Sequence, residues 1–246
     1  MSFDNNPYRP SGFGYLPVVT KNIIIINVIM YLLTQVLLRT QGINLTDYFG
    51  LHYHLASEFR PHQFITYIFM HDTNNFSHIL FNMLGVFIFG QVLEQVWGPK
   101  RYLIFYILTG LGAAIAQYII MHFEIRHVLD LVNQDINSSA LSATDKSYLI
   151  EQKYNYLNGQ VIVGASGSLF GLLGAFGMLF PNRELLIYFL FPIKAKWLVI
   201  LYGAFEIFSG IKNDPGDNVA HFAHIGGLLV GVILVLLWRK DRHHFY

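Results

Sequence analysis

A serine framed by glycines stands inside an apolar stretch of the chain. Residues 161–180 read VIVGASGSLFGLLGAFGMLF, and Ser166 lies there between Gly164 and Gly167. A serine hydroxyl becomes a nucleophile when a base within hydrogen-bond reach takes its proton. A serine among glycines in an apolar helix can equally serve the packing of helices in a membrane. Taken alone, the residue types leave both interpretations of Ser166 open.

A histidine in a second apolar stretch could act as the base. His224 lies in residues 219–238, VAHFAHIGGLLVGVILVLLW, and a neutral imidazole can take the proton of a serine hydroxyl. Neither this stretch nor the one around Ser166 contains an acid. The pattern therefore predicts nucleophilic acyl transfer by a Ser166–His224 dyad rather than by a triad with a carboxylate.

A third stretch offers donors for the oxyanion that acyl transfer creates. His78 and Asn82 are four residues apart at the start of residues 78–96, so they share one face of a helix. An imidazole N–H and an amide can both stabilise a tetrahedral oxyanion. Gly164, two residues before the serine, allows tight backbone geometry there. We therefore expect His78, Asn82 and Gly164 to take part in oxyanion stabilisation.

The composition indicates that these stretches lie in a membrane. Of the 246 residues, 54% are hydrophobic and only 13% are charged, whereas soluble domains carry about 25% charged residues. The net charge of +1 gives no sign of nucleic-acid binding. The absence of cysteine excludes disulfides, thiolate metal sites and a cysteine nucleophile. We expect one all-α domain that crosses the lipid bilayer several times.

Six apolar segments approach the length that a bilayer-spanning helix needs. The expected fold is an all-α polytopic bundle of six transmembrane helices, residues 21–238, between an N-terminal tail, 1–20, and a C-terminal tail, 239–246. The N-terminal tail has no apolar h-region, so we expect it not to be a cleavable signal peptide. The predicted spans are 22–38, 78–96, 102–121, 161–180, 197–210 and 219–238, and the predicted outer loops are 40–76 and 123–160.

Loop charge predicts which way these helices run. Six spans put both termini on one side, and an excess of Lys and Arg marks the cytoplasmic side. With the termini inside, ten of the sixteen Lys and Arg residues fall in cytoplasmic segments: Arg9, Lys21, Lys100, Arg101, Arg183, Lys194, Lys196, Arg239, Lys240 and Arg242. The second, fourth and sixth helices then all run inwards from the outer face.

This orientation places the candidate residues in one layer. Ser166 and His224 are each the sixth residue of their span, roughly 8 Å below its outer end, and His78 begins the second span. Small residues would let the fourth and sixth helices approach closely. These are Gly164, Gly167, Gly171 and Gly174 on one helix, and Ala220, Gly227 and Gly231 beside His224 on the other.

Other interpretations of the polar residues remain open at this point. His221 and His224 are three residues apart and could bind a metal, although no carboxylate or third ligand is near them in the sequence. Glu206 is an acid within the fifth span, and intramembrane acids are often functional. Together with His78 and His224 it could form the proton path of a transporter, or it could bond to a neighbouring helix.

The motifs together resemble the rhomboid family of intramembrane serine proteases. The resemblance runs through residues 64–114, GASGSLFGLLGAF at 164–176 and HFAHIGGLLVG at 221–231. It implies that Ser166, in a G-x-S-G motif, is the nucleophile and that His224 is the general base. It also implies that the H-x-x-x-N pattern of His78 and Asn82 stabilises the oxyanion with the Ser166 backbone N–H.

The resemblance implies cleavage of a peptide bond in or near the transmembrane segment of another membrane protein, without a cofactor or metal. Movement of the fifth helix and of the loop 211–218 would admit the substrate, and the six-span form points to a bacterial inner membrane. The alternative is a non-catalytic relative that acts as a membrane-protein chaperone or quality-control factor. Some relatives carry a tyrosine one turn after the nucleophile that stacks on the histidine; here the residue is Phe170, which could still stack.

Overall fold

The structure, a computed structural model, describes residues 16–187, 191–212 and 219–240, and these residues are mostly helical. Residues 1–15 and 241–246 of the predicted tails, and 213–218 of the predicted loop, lie outside the described residues. The helices are α1 (Val18–Gln41), α2 (Leu45–Phe49), α3 (Gln63–Thr66), α4 (Phe76–Gly85), α5 (Gln91–Trp97), α6 (Pro99–Asn137), α7 (Ala143–Gly159), α8 (Ser166–Leu179), α9 (Ala195–Lys212) and α10 (His221–Lys240).

Shorter elements connect these helices. A 3₁₀ turn, Tyr67–Phe69, follows α3, and a π-helical segment, Val86–Gly90, makes α4 and α5 one continuous helical segment. The strands are β1 (Leu51–His52), β2 (Val161–Ile162), β3 (Glu184–Ile187) and β4 (Phe191–Lys194). β1 pairs antiparallel with β2, and β3 pairs antiparallel with β4.

Four of the described helical segments are long and apolar enough to cross a membrane: Val18–Gln41, Phe76–Trp97, Pro99–Asn137 and His221–Trp238. α8 is apolar but only 14 residues long, and α9 has 18 residues. This mostly helical architecture with several apolar spans is the one that the composition predicted. The count of six spans and the side of the membrane on which the termini lie stay predictions.

A buried carboxylate joins the start of α1 to α5. Glu94 accepts hydrogen bonds from the backbone N–H groups of Val19 (2.9 Å) and Thr20 (2.7 Å) and from the Thr20 hydroxyl (2.8 Å). The first N–H groups of a helix have no acceptor within the helix, and a negative charge is favourable there. Glu94 therefore has a structural role that explains its burial.

The small residues of α8 and α10 bring these two helices together. A Cβ on Gly227 would lie 1.9 Å from the Gly167 carbonyl oxygen, and one on Gly231 would lie 2.7 Å from the Gly171 carbonyl oxygen. Both distances are far below van der Waals contact, so neither position has room for a side chain. The backbones of α8 and α10 are therefore in direct contact at these glycines. The predicted close approach of the fourth and sixth helices is thereby confirmed.

The polar segment 123–160, predicted as an outer loop, is largely helical. α6 continues to Asn137, and α7 occupies Ala143–Gly159. Ser142 caps α7, because its Oγ accepts from the Asp145 N–H (3.2 Å) and donates to the Asp145 carboxylate (2.7 Å). Polarity predicts that this segment lies outside the bilayer but does not predict its secondary structure, because a capped helix can be polar on nearly every face; Leu157 is the buried residue of α7.

Candidate active site

Ser166 is the first residue of α8, and not the sixth residue of a helix over 161–180 as predicted, because residues 161–162 form β2 before the helix begins. Leu51 of β1 lies opposite Ile162 of β2, which ties this segment to the connection between α1 and α4. The Gly164 N–H donates to the Tyr67 carbonyl oxygen (3.1 Å), and Gly164 has a φ of 126°, which favours glycine. The chain turns at Gly164 and begins α8 two residues later. As the first helical residue, Ser166 has a backbone N–H without an acceptor inside the helix.

His224 lies in the first turn of α10, beside the serine. Its Nε2 is 2.8 Å from the Ser166 Oγ, which is the distance of a hydrogen bond. The Phe170 ring stacks on the imidazole, with ring centroids 4.3 Å apart and planes 6° from parallel. Phe170 therefore does stack on His224, as the sequence allowed. The imidazole is buried, so both its edge and its face are fixed by neighbours.

A carboxylate from a third helix lies on the other side of the imidazole. The Oε2 of Glu206, on α9, is 2.9 Å from the His224 Nδ1 and 2.6 Å from the His221 Nδ1. The His221 contact is a hydrogen bond. The His224 contact has the length of an ion pair, but its angle is not that of a good hydrogen bond. Ser166, His224 and Glu206 thus form a continuous row contributed by three helices.

His78 and Asn82 lie on α4, on the side of Ser166 that faces away from His224. A Cβ on Gly164 would fall 2.9 Å from the His78 Nε2 and 3.6 Å from the Ser166 Oγ, so this histidine edge faces the serine across Gly164. The His78 Nδ1 is 3.4 Å from the Asp72 N–H, a donor that favours the tautomer with its proton on Nε2. His78 is therefore set to donate from Nε2 towards the serine.

The two remaining predicted oxyanion residues have specific partners. Asn82 is buried, and its amide donates to the His78 carbonyl oxygen (2.8 Å), which leaves one amide hydrogen for another acceptor. The Gly164 N–H is already bonded to Tyr67. Any contribution of Gly164 to the site would therefore come from the space that it leaves for His78, and not from its own N–H.

Glu206, His221 and His224 also have the residue types of a metal site. Their ligand atoms lie within 4.8 Å of one another, and among the described residues they form the one such group of three. Two ligands of a tetrahedral zinc ion, each about 2.0–2.1 Å from the metal, stand about 3.3 Å apart. The Glu206 Oε2 is nearer than that to both histidine nitrogens, at 2.6 and 2.9 Å. The present spacing suits hydrogen bonds better than metal coordination.

The sequence indicated some of this site and missed one part. It identified Ser166, His224, His78 and Asn82. The structure brings His224 and His78 to Ser166 at the start of α8, and Asn82 lies one turn along α4 from His78. The spans that carry Ser166 and His224 contain no acid, as the sequence states, yet α9 supplies one beside them. The signal for it was the lone acid in an otherwise apolar span. Its partners could not be read from the spacing.

Comparisons with known proteins point to one family. The sequence model of the Rhomboid domain matches residues 58–241. The chain is 26% identical to YdcA of Bacillus subtilis, a rhomboid relative, over 74% of this chain and 69% of that protein. It is 27% identical to RHOMBOID-like protein 12, mitochondrial, of Arabidopsis thaliana, over 76% and 49% respectively. It is 26% identical to the rhomboid protease AarA of Providencia stuartii, over 69% and 54%.

These matches cover most of this chain but only about half of two of the relatives. The matched region contains α4, α6, α8, α9 and α10 and therefore every residue of the site described above. The named protease among the relatives supports a protease function, and the apolar helices support integration in a membrane. The chain belongs to the rhomboid family of membrane proteins.

Proposed function

We propose that this protein is an intramembrane serine endopeptidase in which Ser166 is the nucleophile and His224 is the general base. The observation that carries the proposal is the 2.8 Å distance between the Ser166 Oγ and the His224 Nε2. A weak nucleophile paired with a base at hydrogen-bond distance is the arrangement that acyl transfer needs. The packing role considered for Ser166 requires no such base.

In the proposed reaction, the Ser166 Oγ attacks the carbonyl carbon of the scissile peptide bond while its proton moves to the His224 Nε2. The carbonyl oxygen becomes an oxyanion, which the Ser166 N–H, the His78 Nε2–H and the Asn82 amide stabilise. His224 then donates its proton to the leaving amine as the C–N bond breaks. Water attacks the acyl-enzyme with His224 again acting as base, which releases the second product and restores the serine.

The proposed substrates are transmembrane segments of other membrane proteins. A substrate helix must unwind locally, because a peptide carbonyl inside a helix is shielded and already hydrogen-bonded. α9 is the helix that could admit such a segment, since its buried residues are few: Ala195, Gly203, Glu206 and Gly210. Most of its other side chains face outwards.

The proposal includes the predicted topology: six spans, cytoplasmic termini and a bacterial inner membrane. It requires neither a cofactor nor a metal. The apolar surfaces of α1, α6 and α9 would contact lipid, since many of their large hydrophobic side chains are exposed.

The test uses the purified full-length protein in detergent, a fluorescent fluorophosphonate and a model transmembrane substrate. We expect the wild type to be labelled and to cleave, and Ser166→Ala and His224→Ala each to lose at least about a thousandfold in cleavage rate. The matched control is Ser168→Ala, because Ser168 lies in the same helix but donates to the Tyr106 carbonyl oxygen (2.9 Å). This control should keep both activities.

Two results would contradict the proposal. Cleavage that persists in Ser166→Ala would show that another residue is the nucleophile. A folded wild type that binds transmembrane segments but neither labels nor cleaves would favour a chaperone or quality-control factor instead.

A further inference from the structure

We infer that Glu206 is a positioning residue for His224, so that a buried carboxylate supports the base of the Ser166–His224 pair. This inference rests on the proposed function, because it concerns how the proposed base is held. Glu206 is on α9, whereas the nucleophile is on α8 and the base on α10. This arrangement therefore forms only when all three helices are packed together.

The two nitrogens of the His224 ring have different neighbours. Nε2 lies 2.8 Å from the Ser166 Oγ, and Nδ1 lies 2.9 Å from the Glu206 Oε2. The ring can accept a proton from serine at Nε2 only when its own proton is on Nδ1. A negative charge 2.9 Å from Nδ1 favours this tautomer electrostatically, because it attracts the proton to the side of the ring that faces away from the serine. Phe170, stacked 4.3 Å away, blocks rotation out of that plane.

The carboxylate also becomes more favourable as the reaction proceeds. When the Ser166 proton moves to Nε2, His224 becomes an imidazolium next to the negative charge of Glu206. The site is buried, with Glu206 only 4% exposed, so this attraction is weakly screened. The proton stays on His224 until it passes to the leaving amine, and Glu206 remains ionised throughout.

His221 holds the carboxylate in place. Its Nδ1 is 2.6 Å from the same Oε2, and it precedes His224 by about one turn of α10. A buried carboxylate is costly unless hydrogen-bond donors surround it, and an Nδ1–H of His221 is such a donor. The HFAH motif thus contributes the base, His224, and the donor that orients the partner of the base. The other histidine near this group is His78, which faces Ser166 from α4.

A structural explanation competes with this one, and charge separates the two. Glu206 could simply tie α9 to α10 by hydrogen bonds. Glutamine keeps the length of the side chain and can still bond, but it has no charge. Aspartate keeps the charge but is shorter. If Glu206 only connects the two helices by hydrogen bonds, the glutamine variant should keep more activity than the aspartate variant. If its negative charge orients His224, the aspartate variant should keep more.

The experiment measures kcat and KM for a transmembrane substrate, and the rate of fluorophosphonate labelling, in Glu206→Gln and Glu206→Asp. We expect Glu206→Gln to lose at least about thirtyfold in kcat, since replacing the carboxylate of a serine triad by an amide costs up to about ten-thousandfold. KM should stay within about threefold, and the labelling rate should fall together with kcat. Glu206→Asp should keep at least about five times the kcat of Glu206→Gln.

The matched control is Glu94→Gln. Glu94 and Glu206 are both 4% exposed, but Glu94 binds the start of α1 and has no contact with the site. Its substitution should lower the unfolding midpoint and leave kcat within about twofold of the wild-type value. Similar unfolding midpoints for Glu94→Gln and Glu206→Gln, with a loss of kcat only in the second, would separate chemistry from stability.

Three results would overturn the inference. The first is a kcat of Glu206→Gln within threefold of the wild-type value. The second is a higher activity for Glu206→Gln than for Glu206→Asp. The third is loss of wild-type activity in EDTA with recovery in zinc, which would make Glu206, His221 and His224 a metal site. If Ser166→Ala still cleaves, the proposed function fails; if it is inactive and Glu206→Gln is not impaired, only the positioning role fails.

Discussion

Gly227 of α10 lies against the backbone of Gly167 in α8, with no room for a side chain between them. A Cβ on Gly227 would stand 1.9 Å from the Gly167 carbonyl oxygen. Gly167 directly follows Ser166, and Gly227 comes three residues after His224, so the contact lies next to both members of the pair. The distance from the histidine to the serine hydroxyl therefore depends on two residues that have no side chain.

Gly227→Ala should separate α10 from α8 and weaken the site. Its methyl group would meet backbone, which cannot rotate away, so we expect a loss of about 1–3 kcal/mol in the free energy of unfolding. Fluorophosphonate labelling should fall at least about tenfold, because moving His224 away from Ser166 raises the activation free energy, and each 1.4 kcal/mol of that barrier is a factor of about ten in rate. Labelling rates and thermal unfolding in detergent measure the two effects.

The control for that variant is Gly203→Ala. A Cβ on Gly203 would meet only the Leu228 Cδ2, at 3.3 Å, which is the end of a flexible side chain. This variant should fold and label like the wild type. Equal labelling of Gly227→Ala and Gly203→Ala would mean that the glycine contact does not determine the geometry of the pair.

Phe170→Leu should slow the reaction without unfolding the protein. The stacked ring restrains His224, and aromatic contacts of this kind contribute about 0.5–1.5 kcal/mol. If that restraint is lost in the transition state, kcat falls by roughly twofold to twelvefold. Phe170→Tyr retains the ring and should stay close to the wild-type rate. Steady-state cleavage of a transmembrane substrate tests both variants.

The matched substitution on the same helix is Phe176→Leu. Phe176 is buried and packs edge-on against Phe89, with centroids 5.2 Å apart, but it does not contact His224. It should lower stability and leave kcat unchanged. A loss of kcat of the same size in both leucine variants would attribute the effect of Phe170 to general packing.

Asn82→Ala should reduce kcat by about a hundredfold if its amide stabilises the oxyanion. The effect should appear in kcat with little change in KM, because the donor acts mainly on the charge that develops in the transition state. Asn27→Ala is the matched control, since both asparagines donate to the carbonyl oxygen four residues earlier at 2.8 Å. If the two variants lose kcat equally, Asn82 acts only in the structure of its helix.

A disulfide between α8 and α9 tests whether α9 must move to admit a substrate. A Cβ on Gly177 would lie 3.4 Å from the Val199 Cβ, close to the separation found in disulfides. The chain has no cysteine of its own, so Gly177→Cys with Val199→Cys gives a single pair. Oxidation should slow cleavage of a transmembrane substrate at least about tenfold, because a locked α9 cannot swing aside.

Labelling by the small fluorophosphonate should stay the same in the oxidised and reduced pair, and a reducing agent should restore cleavage. Each single cysteine variant serves as the control for the substitutions themselves. Full cleavage by the oxidised pair would exclude a movement of α9 away from this end of α8.

Sequence patterns were enough to predict those features that depend on a single helix or on a repeat of small residues. Position along the predicted spans put Ser166 and His224 in one layer, and the two residues do meet. The predicted depths were inexact, because Ser166 is the first residue of α8 and His224 the fourth of α10, and not the sixth of each helix. The glycine faces predicted that these helices would touch, and Phe170 lies one turn beyond the serine, where it reaches the histidine ring.

Polar composition did not predict how much of residues 123–160 is helical. Residues 123–160 have few features of a buried helix, yet α6 continues to Asn137 and α7 follows it. The sequence holds a capping signal, Ser142 with Asp145, but such short-range signals are weak beside composition. Long-range contacts also fix this region. The Ser57 N–H donates to the Asn158 Oδ1 at 2.9 Å, and these two residues are 101 positions apart, so no local pattern predicts the contact.

By itself, the sequence determined the apolar spans, the nucleophile and base candidates, and the small residues that let their helices approach. Only the tertiary structure decided what lies behind the base. The 18 residues of α9 carry one acid, and whether it meets His224, another helix or lipid depends on how α9 is rotated and tilted against α10. Contacts among three helices set that rotation, and the chain order does not specify them. The 2.9 Å contact of Glu206 with His224 is therefore a property of the packed bundle.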